Sequence, residues 1–174
     1  MMVSKGLTVS PGTAYARAAL LGVVAGMRSM TPFALLSTAA RPRAGTATFA
    51  AVAAGPLGFV RSRPFRLLSG LAAVGELAGD KLPVVPSRLE RGPLGGRLAI
   101  GALAGAAVCR DARVGVVPGA LLGAAAASAG AYAGYSVRAA LGRATGVPDP
   151  VWGVVEDGVA VGLGVLALRP YLRP

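Results

Sequence analysis

Four carboxylates lie in apolar, glycine-flanked stretches of this chain: Glu76 and Asp80 in GELAGDKLP, and Glu156 and Asp157 in VVEDGVAVG. They are four of only seven acidic residues among 174. A charge at the centre of a membrane helix costs roughly 2.5–3.5 kcal/mol on insertion scales, so it faces a polar interior and has a task. The tasks open to a carboxylate there are binding a cation, carrying a proton, or locking one helix to another. Glu76 and Asp80 are four apart and share a helix face. Lys81 and Pro83 follow at once, which sets Asp80 near the membrane surface and Glu76 deeper. An ion pair to Lys81 or to an arginine, pinning a helix end, competes here with a cation or proton site. Glu156 and Asp157 are adjacent, about 100° apart on a helix. One of them can bind while the other pairs with a neighbouring helix's arginine, and their mutual repulsion suits a proton carrier.

Two arginines sit inside apolar runs. Arg28 lies in MRSMTPFALL, where Pro32 disfavours helix at Thr31 and breaks the run near Ser29–Thr31. A half-helix beginning at Pro32 with Thr31 as its cap would present free N–H groups beside Arg28, a geometry that binds anions or carboxylates. The alternative is a span that ends near Arg28 and continues as an interfacial helix. Arg138 is set to snorkel to the head groups or to pair with Glu156 or Asp157. Asp149-Pro150 reads as a helix cap followed by a first-turn proline, with Trp152 at interfacial depth.

The elements that must position these groups are membrane helices. The chain is 54% hydrophobic and 14% charged, with mean hydropathy +0.62. Its net charge of +11 suggests nucleic acid at first sight, but aromatics are only 5% and the arginines flank apolar runs, as head groups favour. Nucleic acid is therefore excluded as a partner. There is no histidine and one cysteine, Cys109, which excludes ordinary zinc sites, a Ser-His-Asp arrangement and an internal disulfide. No cofactor and no catalytic residue is implied, and a metal is left open.

The expected fold is all-α: a polytopic transmembrane bundle of about five spans, Ala14–Ala40, Phe65–Leu82, Leu94–Cys109, Val114–Leu141 and Pro150–Leu168. Residues 1–13 form a polar tail, 14–168 a single membrane domain and 169–174 a basic tail. The stretch 44–60 is a loop, surface or re-entrant segment. With five spans the basic residues divide eight against nine between the two sides, which leaves orientation undecided. Every span contains Gly-x-x-x-Gly: Gly22/Gly26, Gly75/Gly79, Gly101/Gly105, Gly119/Gly123, Gly130/Gly134 and Gly158/Gly162. Such pairs let helix backbones approach closely in lipid, within one chain or between copies in a homo-oligomer. The glycine pair before Arg28 and the one before Arg138 echo each other, consistent with an inverted repeat of the first and fourth spans.

The ordered motifs GMRSMTP, GELAGDKLPVVPSR, GRLAIGALAGAAVC, GAYAGYSVRAALGR and PDPVWGVVEDGVAVGLG resemble the bacterial membrane family catalogued as domain of unknown function 4126. The resemblance spans roughly Leu20 to Leu168 and implies a small multi-helix protein of the inner (plasma) membrane, with no assigned activity. Its motif positions here include Arg28, Ser29, Pro32, Glu76, Asp80, Lys81, Pro86, Ser87, Arg88, Arg138, Glu156 and Asp157.

Three readings of function follow. The first is a transporter or channel for a small ion or solute, using Arg28, Ser29, Thr31, Glu76, Asp80, Lys81, Arg138, Glu156 and Asp157; it requires these groups to converge. The second is a structural or assembly protein whose charges are interhelical locks; it requires each acid to rest on its own arginine or lysine. The third is an intramembrane enzyme combining the acids with Ser29, Thr31 and Ser87 as a metal or phosphate site, for which no protease or phosphatase signature is present.

Overall fold

A computed structural model describes residues 9–39, 60, 62–79 and 89–172. Asp80, Lys81 and nearly all of the 44–60 segment fall outside the described residues. Within them the chain is all-helical: α1 (Pro11–Met27), α2 (Thr31–Ala39), α3 (Arg63–Gly79), α4 (Arg91–Asp111), α5 (Val116–Thr145) and α6 (Asp149–Leu172).

Local chemistry sets the helix ends. Ser10 caps α1, its hydroxyl accepting from the Thr13 amide at 3.3 Å, and Pro11 takes the first turn, where a missing donor costs nothing. α1 stops at Met27, because Arg28 has extended backbone angles (φ −141°, ψ 106°). Pro32 then lies in the first turn of α2, the helical position that suits it best. α5 ends on Gly146 in the left-handed region at φ +68°, the usual glycine stop. The turn from α4 to α5 passes through Arg113 at φ +56°, an unusual conformation for a residue with a side chain.

The chain reverses at the break after α1. Val24, before it, and Leu35, after it, both lie against Gly164 of α6. On a straight helix those two residues would be about 16 Å apart along the axis. Leu36 and Ala39 likewise share one apolar core with Leu21, Val108 and Leu168. So α2 folds back beside α6 toward the end where α1 began. The expectation of a single first span over Ala14–Ala40 is thereby corrected: Pro32 and the extended Arg28 end one helix and start another in the opposite direction.

The remaining directions follow from side-chain register. Phe33 and Phe65 meet edge to face at 5.7 Å, and Glu76 reaches Ser29 and Met30, so α3 climbs back to the reversal. Gly101 meets Gly123 while Gly105 meets Gly119, which makes α4 and α5 antiparallel. Gly22 meets Gly123 while Gly26 meets Ala127 and Ala131, which makes α1 and α5 parallel. Arg17 stacks on Tyr171 while Arg28 binds Asp157, so α6 returns antiparallel to α1. The six helices alternate in direction. The suggested inversion between the first span and the Val114–Leu141 span is corrected by the same register, since α1 and α5 run the same way.

Helix α1 is the central post, with Ala14, Ala18, Leu21, Val24 and Ala25 fully buried. A Cβ added to Gly22, Gly26, Gly101, Gly105, Gly119 or Gly123 would collide with a neighbouring helix; at Gly101 it would lie 2.7 Å from the Ala127 Cβ. These pairs do pack backbone against backbone. Gly75, Gly158 and Gly162 face open space instead. The bundle's outside is apolar: Leu67, Leu71, Val117, Leu121, Val154 and Leu166 are all more than half exposed. α4, α5 and α6 are long and apolar enough to cross a membrane, with mean hydropathies of 1.3, 1.4 and 1.7. α1 and α3, at 17 residues each, are shorter. α6 extends through Arg169 and Pro170, which were expected in a separate tail.

Candidate functional site

The reversal between α1 and α2 leaves orphan backbone groups: carbonyls at the end of α1 and amides before α2. Glu76 of α3 and Arg97 of α4 supply the partners. The Glu76 carboxylate accepts from the Ser29 amide (2.8 Å), the Ser29 hydroxyl (2.8 Å) and the Met30 amide (2.9 Å). Arg97 donates to the Gly26 carbonyl at 2.9 Å and to Glu76 at 3.1 Å. The anion therefore sits at the start of one helix and the cation at the end of the other, each matched to the local dipole. An anion site beside Arg28 was expected at this break, and its occupant is the protein's own Glu76. Met30, rather than Thr31, holds the cap position; Thr31 is the buried first residue of α2.

A second network adjoins the first through Arg28, the largest fully buried side chain. Its Nε and a terminal nitrogen bind Asp157 Oδ1, and Nη2 lies 4.0 Å from Glu156 Oε2. Arg138 of α5 donates to the same Glu156 oxygen at 3.2 Å. It also holds Asp149 in a two-point fork, Nε to Oδ1 at 3.0 Å and Nη2 to Oδ2. The result is an alternating ladder, Asp149–Arg138–Glu156–Arg28–Asp157. It begins at Asp149, 63% exposed on the rim, passes through the wholly buried Arg28 and ends at Asp157, 15% exposed. Gly153 leaves the space beside the Arg138 guanidinium, 3.4 Å from where a Cβ would stand.

The structure thus gathers Arg28, Ser29, Glu76, Arg138, Glu156 and Asp157 around one reversal. Arg138 adopts the pairing alternative and does not snorkel. Two members escaped the sequence reading. Arg97 lies only three residues into a span begun at Leu94; α4 begins at Arg91 and places it six residues inside. Asp149 was read as a cap, although it stands seven residues, two turns, before Glu156 on the same helical face, a spacing that could have linked them. Away from this site, Tyr171 donates to Asp111 at 2.8 Å near the other end of α6. Among the described residues, no three of His, Cys, Asp and Glu group to hold a metal ion.

These features define an all-α chain with three helices suited to crossing a membrane and arginine–carboxylate ion pairs buried between helices. No family model, curated protein or solved structure matches it.

Proposed function

We propose that this chain is a multi-pass protein of the inner membrane that passes a small ion or solute, and that its charged groups divide into a fixed half and an exchangeable half. Glu76 and Arg97 are the fixed half. With four contacts on its carboxylate and a closed backbone reversal around it, Glu76 has little left to offer a ligand. The exchangeable half is Arg28, Arg138, Glu156 and Asp157. The observation that carries the reading is Glu156, which one arginine holds at 3.2 Å and another approaches at 4.0 Å. A carboxylate between two cations from different helices can trade partners with little net change, as a moving site requires. Buried ion pairs seldom raise stability over apolar packing, and charges inside membranes mark pathways.

Flux through proteoliposomes tests this. The full chain carries a small ion or solute above protein-free vesicles, and Glu156→Gln lowers that flux at least tenfold while the protein still folds. No flux from wild type across a panel of protons, monovalent cations and small anions returns the chain to the lock reading. That second reading has its own observation: Glu76, Asp149, Glu156 and Asp157 each rest on an arginine. Self-association belongs to it. Membership in the family of domain of unknown function 4126 fits both readings, through the motifs that hold Arg28, Glu76, Arg97, Arg138, Glu156 and Asp157.

A further inference from the structure

Helices α5 and α6 diverge from their connecting turn and leave a side-opening groove of 260 Å³ floored by Val23 and Met27 of α1. Val137, Val155 and Val159 line it, and each is about half exposed on the bundle's apolar exterior. The groove therefore opens where the surface is hydrocarbon. Arg138 and Glu156 stand at its inner wall, and Trp152 beside them has a buried indole N–H with no acceptor among the described residues. Among the described residues, Arg138 pairs there with two unequal anions. Glu156 is buried, whereas Asp149 is 63% exposed and binds through a planar two-point fork. Asp149 is reached by solvent and so is the more readily exchanged of the two, and the fork on Arg138 matches any carboxylate.

We infer that this groove is a binding site for a single-chain amphipath ending in a carboxylate, its hydrocarbon lying between α5 and α6 and its head replacing Asp149 on Arg138. Charge complementarity selects the head, because the guanidinium is already shaped around a carboxylate. The apolar walls select the chain. The groove is accessible from the bilayer, and the site depends on the membrane reading of the chain but not on whether anything crosses.

Trp152 is the one tryptophan in the sequence and lines the groove, so it reports occupancy directly. The full chain in nanodiscs of uncharged phosphatidylcholine is titrated at alkaline pH with dibromostearate or with its methyl ester, and tryptophan quenching is followed. The acid quenches saturably, about tenfold tighter than the ester, as one charge-assisted interaction gives. Asp149→Asn, which removes the competitor, tightens the acid several-fold and leaves the ester where it was. Gly134→Leu, which places a side chain in the groove, abolishes saturable quenching in a chain that still melts cooperatively. Equal quenching by acid and ester means ordinary lipid contact and overturns the proposal. So does an acid affinity that neither variant moves.

Discussion

Glu76 and Glu156 stand in similar sequence, an acid in a run of valine, leucine and glycine, yet they meet different surroundings. Glu76 accepts two backbone amides of the reversal, those of Ser29 and Met30. Glu156 meets the guanidinium groups of Arg138 and Arg28. Glu76→Gln should therefore be the more damaging change. The amide keeps the shape but turns an N–H₂ toward donors and removes the charge that faces the buried Arg97. Breaking one member of a buried pair costs about 3–5 kcal/mol. Thermal unfolding in detergent checks this: Glu76→Gln lowers stability by that amount, and Arg97→Gln on top of it adds far less than Arg97→Gln alone. A Glu76→Gln chain as stable as wild type would remove the carboxylate from its place at the reversal. The residue types at the site were legible, because charge in an apolar run is conspicuous. The partners were not. Arg28 and Asp157 are 129 residues apart, and no local spacing links them.

At the scale of elements, most helices could be read from apolar length and end signals: Asp149-Pro150 opens α6, and Gly146 closes α5. The reversal after Met27 was half legible. Proline and its neighbours locate a break, but whether the chain then continues or folds back depends on packing against α6, which no local pattern encodes. The glycine pairs teach the same lesson, since pattern alone cannot say which face a neighbour. Gly26→Ala sets a methyl 2.6 Å from the Ala131 amide nitrogen and should cost about 1–3 kcal/mol by overpacking. Gly158→Ala meets nothing within 4 Å and should leave the melting temperature of the isolated chain unchanged. Equal effects from the two would mean that α1 and α5 are not in backbone contact.

For the whole molecule, alternating helix directions bring the start of α1 and the end of α6 to one side, with Arg17 over Tyr171. Among the described residues that side carries Arg17, Arg63, Arg66, Arg110, Arg113 and Arg169, against Arg91 and Arg143 on the side of the reversal. Arg28, Arg97 and Arg138 are buried between helices and count for neither. Among the described residues the balance is six to two, and the positive-inside rule predicts that the start of α1 and the end of α6 face the cytoplasm. Reporter fusions at either end that become active only in the cytoplasm are the expected result; opposite sides for the two ends would contradict the topology. The central claim beneath all of this is that the first helix turns back at Arg28 and so brings the charged groups of five helices together. Leu35→Cys with Gly164→Cys, on a Cys109→Ala background, measures it most directly in native membranes. The Leu35 Cγ, the position a cysteine sulfur would take, lies 3.8 Å from a Cβ built at Gly164, so oxidation should link the two in high yield. If that pair stays unlinked in the assembled protein, while cysteines placed for a straight first helix link readily, the reversal is wrong and the site built on it falls.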